Sequence, residues 1–152
     1  MDLKHEYEQD FHQWIEHHIT LLREGRFSEI DTDHLIEELE GMVRRDRDEL
    51  ISRLVILIAH LLKWQFQLNQ LSERWQEFDG RSWRRSIIEQ RNEILRQLRN
   101  QPSLKSYLLN AVIEAYPDAV KIARQETKLA LSVFPKECPY STEQLLDEDF
   151  YP

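Results

Sequence analysis

The longest apolar run of the chain covers residues 54–62, where only His60 is polar. A helix that is apolar on nearly all sides belongs inside a bundle, covered by other helices. The same spacing of three and four residues continues on both sides, from good N-caps at residues 31–33 to about residue 68. The pattern therefore predicts a long central helix that most readily kinks or breaks at Gly41. Its inward-facing stripe is predicted to comprise Leu35, Leu39, Met42, Val43, Leu50, Leu54, Leu57 and Leu61.

Amphipathic spacing predicts four further helices. They cover residues 7–22, 82–100, 104–115 and 119–130. The first ends at Gly25, since glycine adopts the left-handed conformation at little cost, and Pro117 either kinks a helix or lies in the first turn of the next. Residues 134–152 form an extended tail with a capping box at Ser141 and Gln144. The predicted fold is all-α: an irregular bundle of about five helices around the central one, with the tail docked on it.

Composition agrees with one helical domain over residues 1–152, a usual length for a single domain. Three glycines and five prolines are few for a strand-and-turn architecture. The only cysteine, Cys138, excludes an internal disulfide framework and fits a reducing cytosol. The apolar run is far shorter than the ~20 residues that span a bilayer. We therefore expect a cytoplasmic protein with no membrane segment.

The net charge of −8 is unevenly distributed along the chain. Residues 1–50 carry 15 acidic and 6 basic side chains, whereas residues 51–100 carry 5 acidic and 9 basic ones. An acidic chain repels nucleic acid at long range. The arginines of residues 81–99 share the outer helix face with Glu89 and Glu93, which makes a mixed surface and not a basic stripe. Nucleic acid is therefore an unfavoured partner.

A thin polar seam follows the otherwise apolar central helix. At 100° per residue it comprises Glu49, Arg53, His60, Lys63 and Gln67. A histidine in such a seam is more often an edge residue that faces solvent or a partner than a catalytic base. Water, the tail or a partner could cover the seam.

Three charged side chains fall inside apolar helix arcs. Arg84 and Arg91 lie within the arc that begins at Trp83, and Asp46 lies within the arc of the central helix. A buried charge without a partner costs several kcal/mol. The pattern therefore predicts that Asp46 pairs with Arg84 or Arg91. The alternative is an anion pocket, in which both arginines beside Trp83 or Trp64 hold a phosphate or carboxylate ligand.

The sequence contains no pattern typical of a metal site or of a catalytic nucleophile. Glutamates cluster in residues 37–40, but di-iron bundles need Glu-x-x-His pairs on separate helices, and the nearest match is Asp31-x-x-His34. Cys138 lies in an acidic tail, where neighbouring acids raise the pKa of a thiol and weaken it as a nucleophile. We therefore predict no metal, no cofactor and no catalytic residue.

Several short sequence segments, spread over almost the whole chain, resemble those of a known family. They are Tyr7-Glu-Gln-Asp-Phe-His-Gln-Trp14, Glu37-Glu-Leu-Glu40, Leu61-Leu-Lys-Trp64, Ser82-Trp83, Glu89-Gln-Arg91, Phe134-Pro-Lys-Glu-Cys-Pro-Tyr140 and Asp147-Glu-Asp-Phe150. In these segments the chain resembles the bacterial domain of unknown function, family 29. The resemblance implies a single all-helical domain, and it brings no activity, cofactor or site residue with it.

Three functions follow from these patterns, in order of preference. The surplus of Trp and Tyr, the polar seam and the lack of a catalytic set favour an interaction or scaffold protein, which self-associates or binds another protein. The second is a small anion-binding or hydrolytic enzyme that uses Asp46, Arg84 and Arg91. The third is a nucleic-acid-associated factor.

Overall fold

The computed structural model describes residues 2–74 and 80–152, the side chains of residues 68–74 excepted. Within these ranges the regular elements are helical and no strand is present. The α-helices are α1 (Leu3–Gln9), α2 (Phe11–Arg23), α3 (Thr32–Arg74), α4 (Arg81–Asn100), α5 (Leu108–Thr127) and α6 (Thr142–Leu146). Short 3-10 turns cover Phe27–Glu29, Pro102–Tyr107 and Leu131–Val133. The prediction of an all-α fold with a long central helix is confirmed.

Helix α3 is 43 residues long and passes through Gly41 without a break. A glycine keeps its backbone N–H, so it weakens a helix by about 1 kcal/mol relative to alanine but leaves the hydrogen-bond ladder intact. The break considered at this position is therefore absent. The helix also continues past residue 68, its predicted end, to Arg74. Residues 75–79, which lie between two of the predicted helices, are outside the described ranges.

The contacts of the chain group into two compact units, residues 1–45 and residues 46–152, and α3 contributes residues to both. That the chain is a single domain stays a prediction. The larger unit has an apolar core, built from α3 from residue 50 onward, α4, α5 and the tail. Its fully buried side chains include Leu50, Leu54, Leu57, Ile58, Leu61, Leu62, Ile87, Ile94 and Leu145. The apolar run of residues 54–62 thus supplies a large part of this core.

Helix α5 runs through Pro117 as one helix, where the sequence left a kink or a new start open. The proline removes one backbone donor. Its neighbours Ala115, Tyr116 and Ala119 are buried in the core, so their packing holds the helix together across the missing bond. The segment before α5, predicted to be helical from residue 104, forms a 3-10 turn instead.

The tail docks on the larger unit, as the sequence predicted. Phe134, Tyr140 and Leu145 are buried in the common core. The hydroxyl of Tyr140 also donates a hydrogen bond to Oε1 of Gln65, 2.8 Å away. Ser141 caps α6 in the predicted capping box, so the tail is fixed by packing and by specific polar contacts.

The smaller unit has two helices where the sequence predicted one over residues 7–22. Asp10 separates them: it ends α1 and caps α2, because its carboxylate accepts a hydrogen bond from the backbone N–H of Gln13 at 3.1 Å. Asp2 caps α1 in the same way. An aspartate side chain competes with the helix for backbone donors, and helical periodicity alone does not reveal which aspartate will do so.

Candidate functional site

Arg91 is buried, as its place inside an apolar arc required, but Asp46 is not its partner. Its Nε donates to the carbonyl oxygen of Leu145 at 2.9 Å, and its Nη2 donates to that of Gln144 at 3.1 Å. The contact of Asp46 is through its backbone, whose carbonyl accepts a hydrogen bond from Gln97. The predicted ion pair is thus not formed within the described residues, because carbonyls in the last turn of α6 take up the guanidinium instead.

Arg84 is exposed, and Tyr151 of the tail lies beside both Arg84 and Arg91. The guanidinium of Arg84 lies 4.9 Å from the ring centre of Tyr151, and that of Arg91 lies 5.5 Å from the same centre. The ring of Trp64 packs against Tyr151 as well, with 4.9 Å between their centres. Trp83 faces a different cation, Lys63. The position between the two arginines, where an anion was considered, is therefore occupied by an aromatic side chain of the tail.

A cavity of about 300 Å³ adjoins Arg91. It is lined by Ile88, Arg91, Asn92 and Glu148. Arg91 has no hydrogen-bond partner at Nη1, but that atom is shielded from solvent. Burial lowers the pKa of the guanidinium, although the nearby acids of the tail oppose the shift. A shielded donor and a carboxylate in the lining give little support to anion binding.

Neighbouring helices cover much of the polar seam. Nη1 of Arg53 donates to Glu93 of α4 at 2.7 Å. Lys63 is buried and pairs with Glu126 of α5. Further hydrogen bonds join Arg53 to Glu49, Gln67 to the carbonyl of Thr127, and His60 to the carbonyl of Ile56. The seam therefore joins α3 to α4 and α5 within the chain.

His60 is half-buried in this seam. Burial lowers its pKa, and the charge of Lys63 acts in the same direction, against the effects of the Ile56 carbonyl and Glu126. The imidazole is therefore neutral at pH 7. Its Nδ1 is hydrogen-bonded to the carbonyl of Ile56 at 2.8 Å, one turn earlier in α3.

The smaller unit contains a buried polar network that the sequence did not predict. One oxygen of Asp31, Oδ2, lies 2.6 Å from Nδ1 of His34 and accepts a hydrogen bond from Nε1 of Trp14 at 3.2 Å. The backbone N–H of Asp31 donates to Nε2 of His18. His18 must then donate from Nδ1, which lies 2.8 Å from the carbonyl of Trp14, so it is neutral with a fixed tautomer.

Tyr7 completes the network from α1. Its ring stacks on His34 with 3.9 Å between centres, and its hydroxyl donates to Oε1 of Glu38 at 2.5 Å. This hydrogen bond, with burial and the glutamate charge, raises the pKa of Tyr7 to about 12. The face of α3 that carries His34 and Glu38 is therefore polar although α1 covers it.

Another side of α3 is apolar and exposed. Four side chains form it, at positions that span an arc of about 120° on a helix of 3.6 residues per turn. We call them the α3 apolar face: Ile36, Leu39, Met42 and Val43. Leu39, at its centre, is 54% exposed and lies about 140° round the helix from His34. The prediction that Leu39, Met42 and Val43 point inward is therefore wrong.

Helical periodicity could not have identified this inversion. An apolar arc normally faces the core, so the periodicity predicts that the polar side faces outward. One signal did point the other way: His34 and Glu38 are one turn apart, and Asp31 precedes His34 by three residues. These positions place a carboxylate and two possible partners on a single face.

A model of one protein family, the Domain of unknown function DUF29, matches residues 6–151. The chain belongs to the DUF29 family. No curated protein and no solved structure matches this DUF29 chain. Within the described residues, no group of three or more His, Cys, Asp or Glu side chains is placed to hold a metal ion. In the same part of the DUF29 chain, no helix has the length and apolar character that crossing a membrane requires.

Proposed function

We propose that this DUF29 domain is a protein-interaction module that binds its partner through the α3 apolar face. One observation carries the proposal: the smaller unit covers the polar side of α3 and leaves the apolar side in solvent. Single exposed apolar residues are common on protein surfaces. A contiguous exposed apolar stripe supports a site where another protein binds.

The α3 apolar face supplies part of the free energy that a specific contact needs. Fully burying an aliphatic side chain contributes about 1.5–3 kcal/mol. Each residue of the α3 apolar face is about half exposed, so covering all four contributes on the order of 3–6 kcal/mol before the entropic cost of association. Ile36, Leu39 and Val43 follow one another at intervals of three and four residues, the spacing by which a helix docks on another helix.

The alternatives draw less support. Anion binding would need an open position between Arg84 and Arg91, and the ring of Tyr151 in the tail lies against both guanidinium groups. Nucleic-acid binding would need free arginines on α4, yet Arg96 lies 3.8 Å from Glu93 and the chain is acidic overall.

Site-specific photo-crosslinking tests the proposal in the cells that naturally make the chain. A photoreactive residue at Leu39 is expected to give discrete protein adducts, whereas the same residue at Glu16, exposed on α2, gives none. A second probe position at Val43 guards against a local effect of the label. If Leu39 and Val43 crosslink no more than Glu16, the proposal is overturned.

A further inference from the structure

A cavity of about 460 Å³ opens at the end of α5, in the larger unit. We name it the α5 basic cavity, and it is lined by Lys121, Arg124, Gln125, Lys128 and Leu129. Three of these side chains are cationic and none is acidic. The four polar side chains are exposed, whereas Leu129 is partly buried and packs against the core. The cavity is therefore open to solvent and has one apolar contact.

The cations of this cavity have no partner in the described part of the chain. Glu126, which follows Arg124 by two residues, pairs instead with Lys63 of α3. Asp118, one turn before Lys121, forms no ion pair with it among the described residues. The three positive charges are therefore available to a ligand.

The dipole of α5 accounts for only part of this cluster. Basic side chains are favourable in the last turn of a helix. Arg124 lies in that turn, but Lys121 lies before it. The negative end of a helix corresponds to roughly half an elementary charge, so three cations leave a local surplus of about two and a half positive charges. Because neighbouring like charges repel one another, an anion that binds here stabilises the cluster.

Lys128 has a backbone conformation that lysine rarely adopts. Its φ of 64° and ψ of 14° lie in the left-handed region, directly after the end of α5. Among the residues that the structure describes, no other non-glycine residue has a positive φ. Glycine is the usual residue at this position, because a Cβ atom makes the conformation costly. A lysine that is kept there in spite of this cost indicates a role for its side chain, which lines the cavity.

We infer that the α5 basic cavity binds a phosphate monoester, either of a free small molecule or of a lipid headgroup. A phosphate monoester carries about −1.5 to −2 charges at pH 7, which is closer to the positive surplus of the cavity than the single charge of a carboxylate. Arginine binds two phosphate oxygens with its fork of donors, and lysine acts as a point charge. The volume also lies within the range of about 300–1,000 Å³ that is usual for small-ligand sites, which leaves room for an organic group beside Leu129.

The inference does not rest on the proposed function. The α3 apolar face belongs to residues 1–45, whereas the α5 basic cavity belongs to residues 46–152. Most of the net negative charge lies in the smaller unit, since residues 46–152 carry 16 acidic and 15 basic side chains. The larger unit is therefore nearly neutral, and the acidity of the whole chain does not argue against an anion at this cavity.

Two binding measurements on the full chain test the inference at an ionic strength of about 0.15 M, where distant charges are screened. The first is isothermal titration calorimetry with glycerol 3-phosphate. The second is co-sedimentation with phosphatidylcholine vesicles, with and without phosphatidic acid. Binding of the soluble monoester identifies a free small molecule, and binding of the phosphatidic acid vesicles alone identifies a lipid headgroup. No binding in either measurement overturns the inference.

Substitutions then show whether the cavity is the binding site. Lys121→Gln and Arg124→Gln are each expected to weaken binding on the order of tenfold. Lys105→Gln is the matched control, because this exposed lysine of the larger unit lies outside the cavity and loses the same charge. Its affinity should stay within about twofold of the wild type. Equal weakening by all three substitutions would mean that general charge attracts the ligand, and would overturn the inference.

Lys128→Gly separates a loss of binding from a loss of folding. Glycine adopts a φ of 64° without strain, so the melting temperature should rise by about 2–4 °C. Binding should nevertheless weaken on the order of tenfold, because one cation of the cavity is removed. Unchanged binding by all the cavity variants, with the Lys128→Gly chain folded and more stable, overturns the inference.

Discussion

Nδ1 of His34 lies 2.6 Å from Oδ2 of Asp31, three residues earlier in the chain, and the carboxylate is almost entirely buried. The pair links the start of α3 to α2, because the same oxygen also accepts the indole N–H of Trp14. A buried carboxylate is stable only when such donors surround it. Specific hydrogen bonds therefore help to hold the interior of the smaller unit together.

Asp31→Asn tests this dependence. The amide is nearly the same size, but it is uncharged and can offer only one acceptor oxygen. A hydrogen bond to a charged group contributes about 1.5–3 kcal/mol, so we expect the free energy of unfolding in urea to fall by about 2 kcal/mol. Asp33→Asn is the matched control, since the side chain of Asp33 is 85% exposed; its effect should be below about 0.5 kcal/mol. Equal effects of the two substitutions would contradict the structural role of Asp31.

The stabilisation by Asp31 should depend on pH in a defined direction. Burial acts to raise the pKa of this carboxyl, but the hydrogen bonds from His34 and Trp14 outweigh it and the pKa is lowered. A lowered pKa means that the stabilisation is fully present above the unfolded-state value of about 3.9 and is lost as the pH falls through the folded-state value. The difference in unfolding free energy between wild type and Asp31→Asn is therefore expected to be constant near neutrality and to shrink below about pH 4. A difference that stays unchanged down to pH 3 would rule out this linkage.

The sequence predicted the larger unit better than the smaller one. The buried run of residues 54–62, the tail and its capping box follow from local rules that favour the same structure. Arg91 was correctly placed among apolar residues, but its partners are backbone carbonyls of α6, 53 and 54 residues away. Every residue carries a carbonyl, so the side-chain pattern could not distinguish these partners from Asp46.

The smaller unit was mispredicted for a different physical reason. Amphipathic spacing locates an apolar arc on a helix but does not state what lies against it. In residues 32–45 the covering elements, α1 and α2, bind the polar side of α3 through Tyr7 and Asp31. Only the three-dimensional structure shows that Leu39 points to solvent.

Arg91→Lys tests whether this side chain fastens the tail. A lysine cannot reproduce the fork of donors that reaches two successive carbonyls. We expect faster amide hydrogen exchange over residues 141–151, because the last turn of α6 loses the two guanidinium donors that bind its carbonyls. Arg85→Lys, on the exposed surface of α4, should leave exchange in the tail unchanged. Identical exchange in the two variants would mean that packing of Leu145 alone holds the tail.

Gly41→Ala is expected to stabilise the chain by about 0.5–1 kcal/mol, since alanine has the higher helix propensity and Gly41 is inside α3. A Cβ atom there would meet only the ends of Arg44 and Arg45, both at 3.6 Å. Gly25→Ala is the contrasting variant: Gly25 has a φ of 71°, where alanine is strained, so stability should fall by about 1 kcal/mol. Urea denaturation of both variants measures the difference. Destabilisation by Gly41→Ala would indicate a close contact at this position.

Leu39→Ala and Leu50→Ala compare two leucines of the same helix on opposite sides of the boundary between the units. Leu39 is 54% exposed, whereas Leu50 is completely buried in the core of the larger unit. At protein concentrations too low for association, Leu39→Ala should change the unfolding free energy by no more than about 0.5 kcal/mol. Leu50→Ala leaves a cavity and should cost about 2–5 kcal/mol. With a partner bound, the cost of Leu39→Ala should increase, because the partner adds to the stability of the folded state. A large cost of Leu39→Ala even at low concentration would show that the side chain is packed within the chain, and would remove the α3 apolar face as a docking surface.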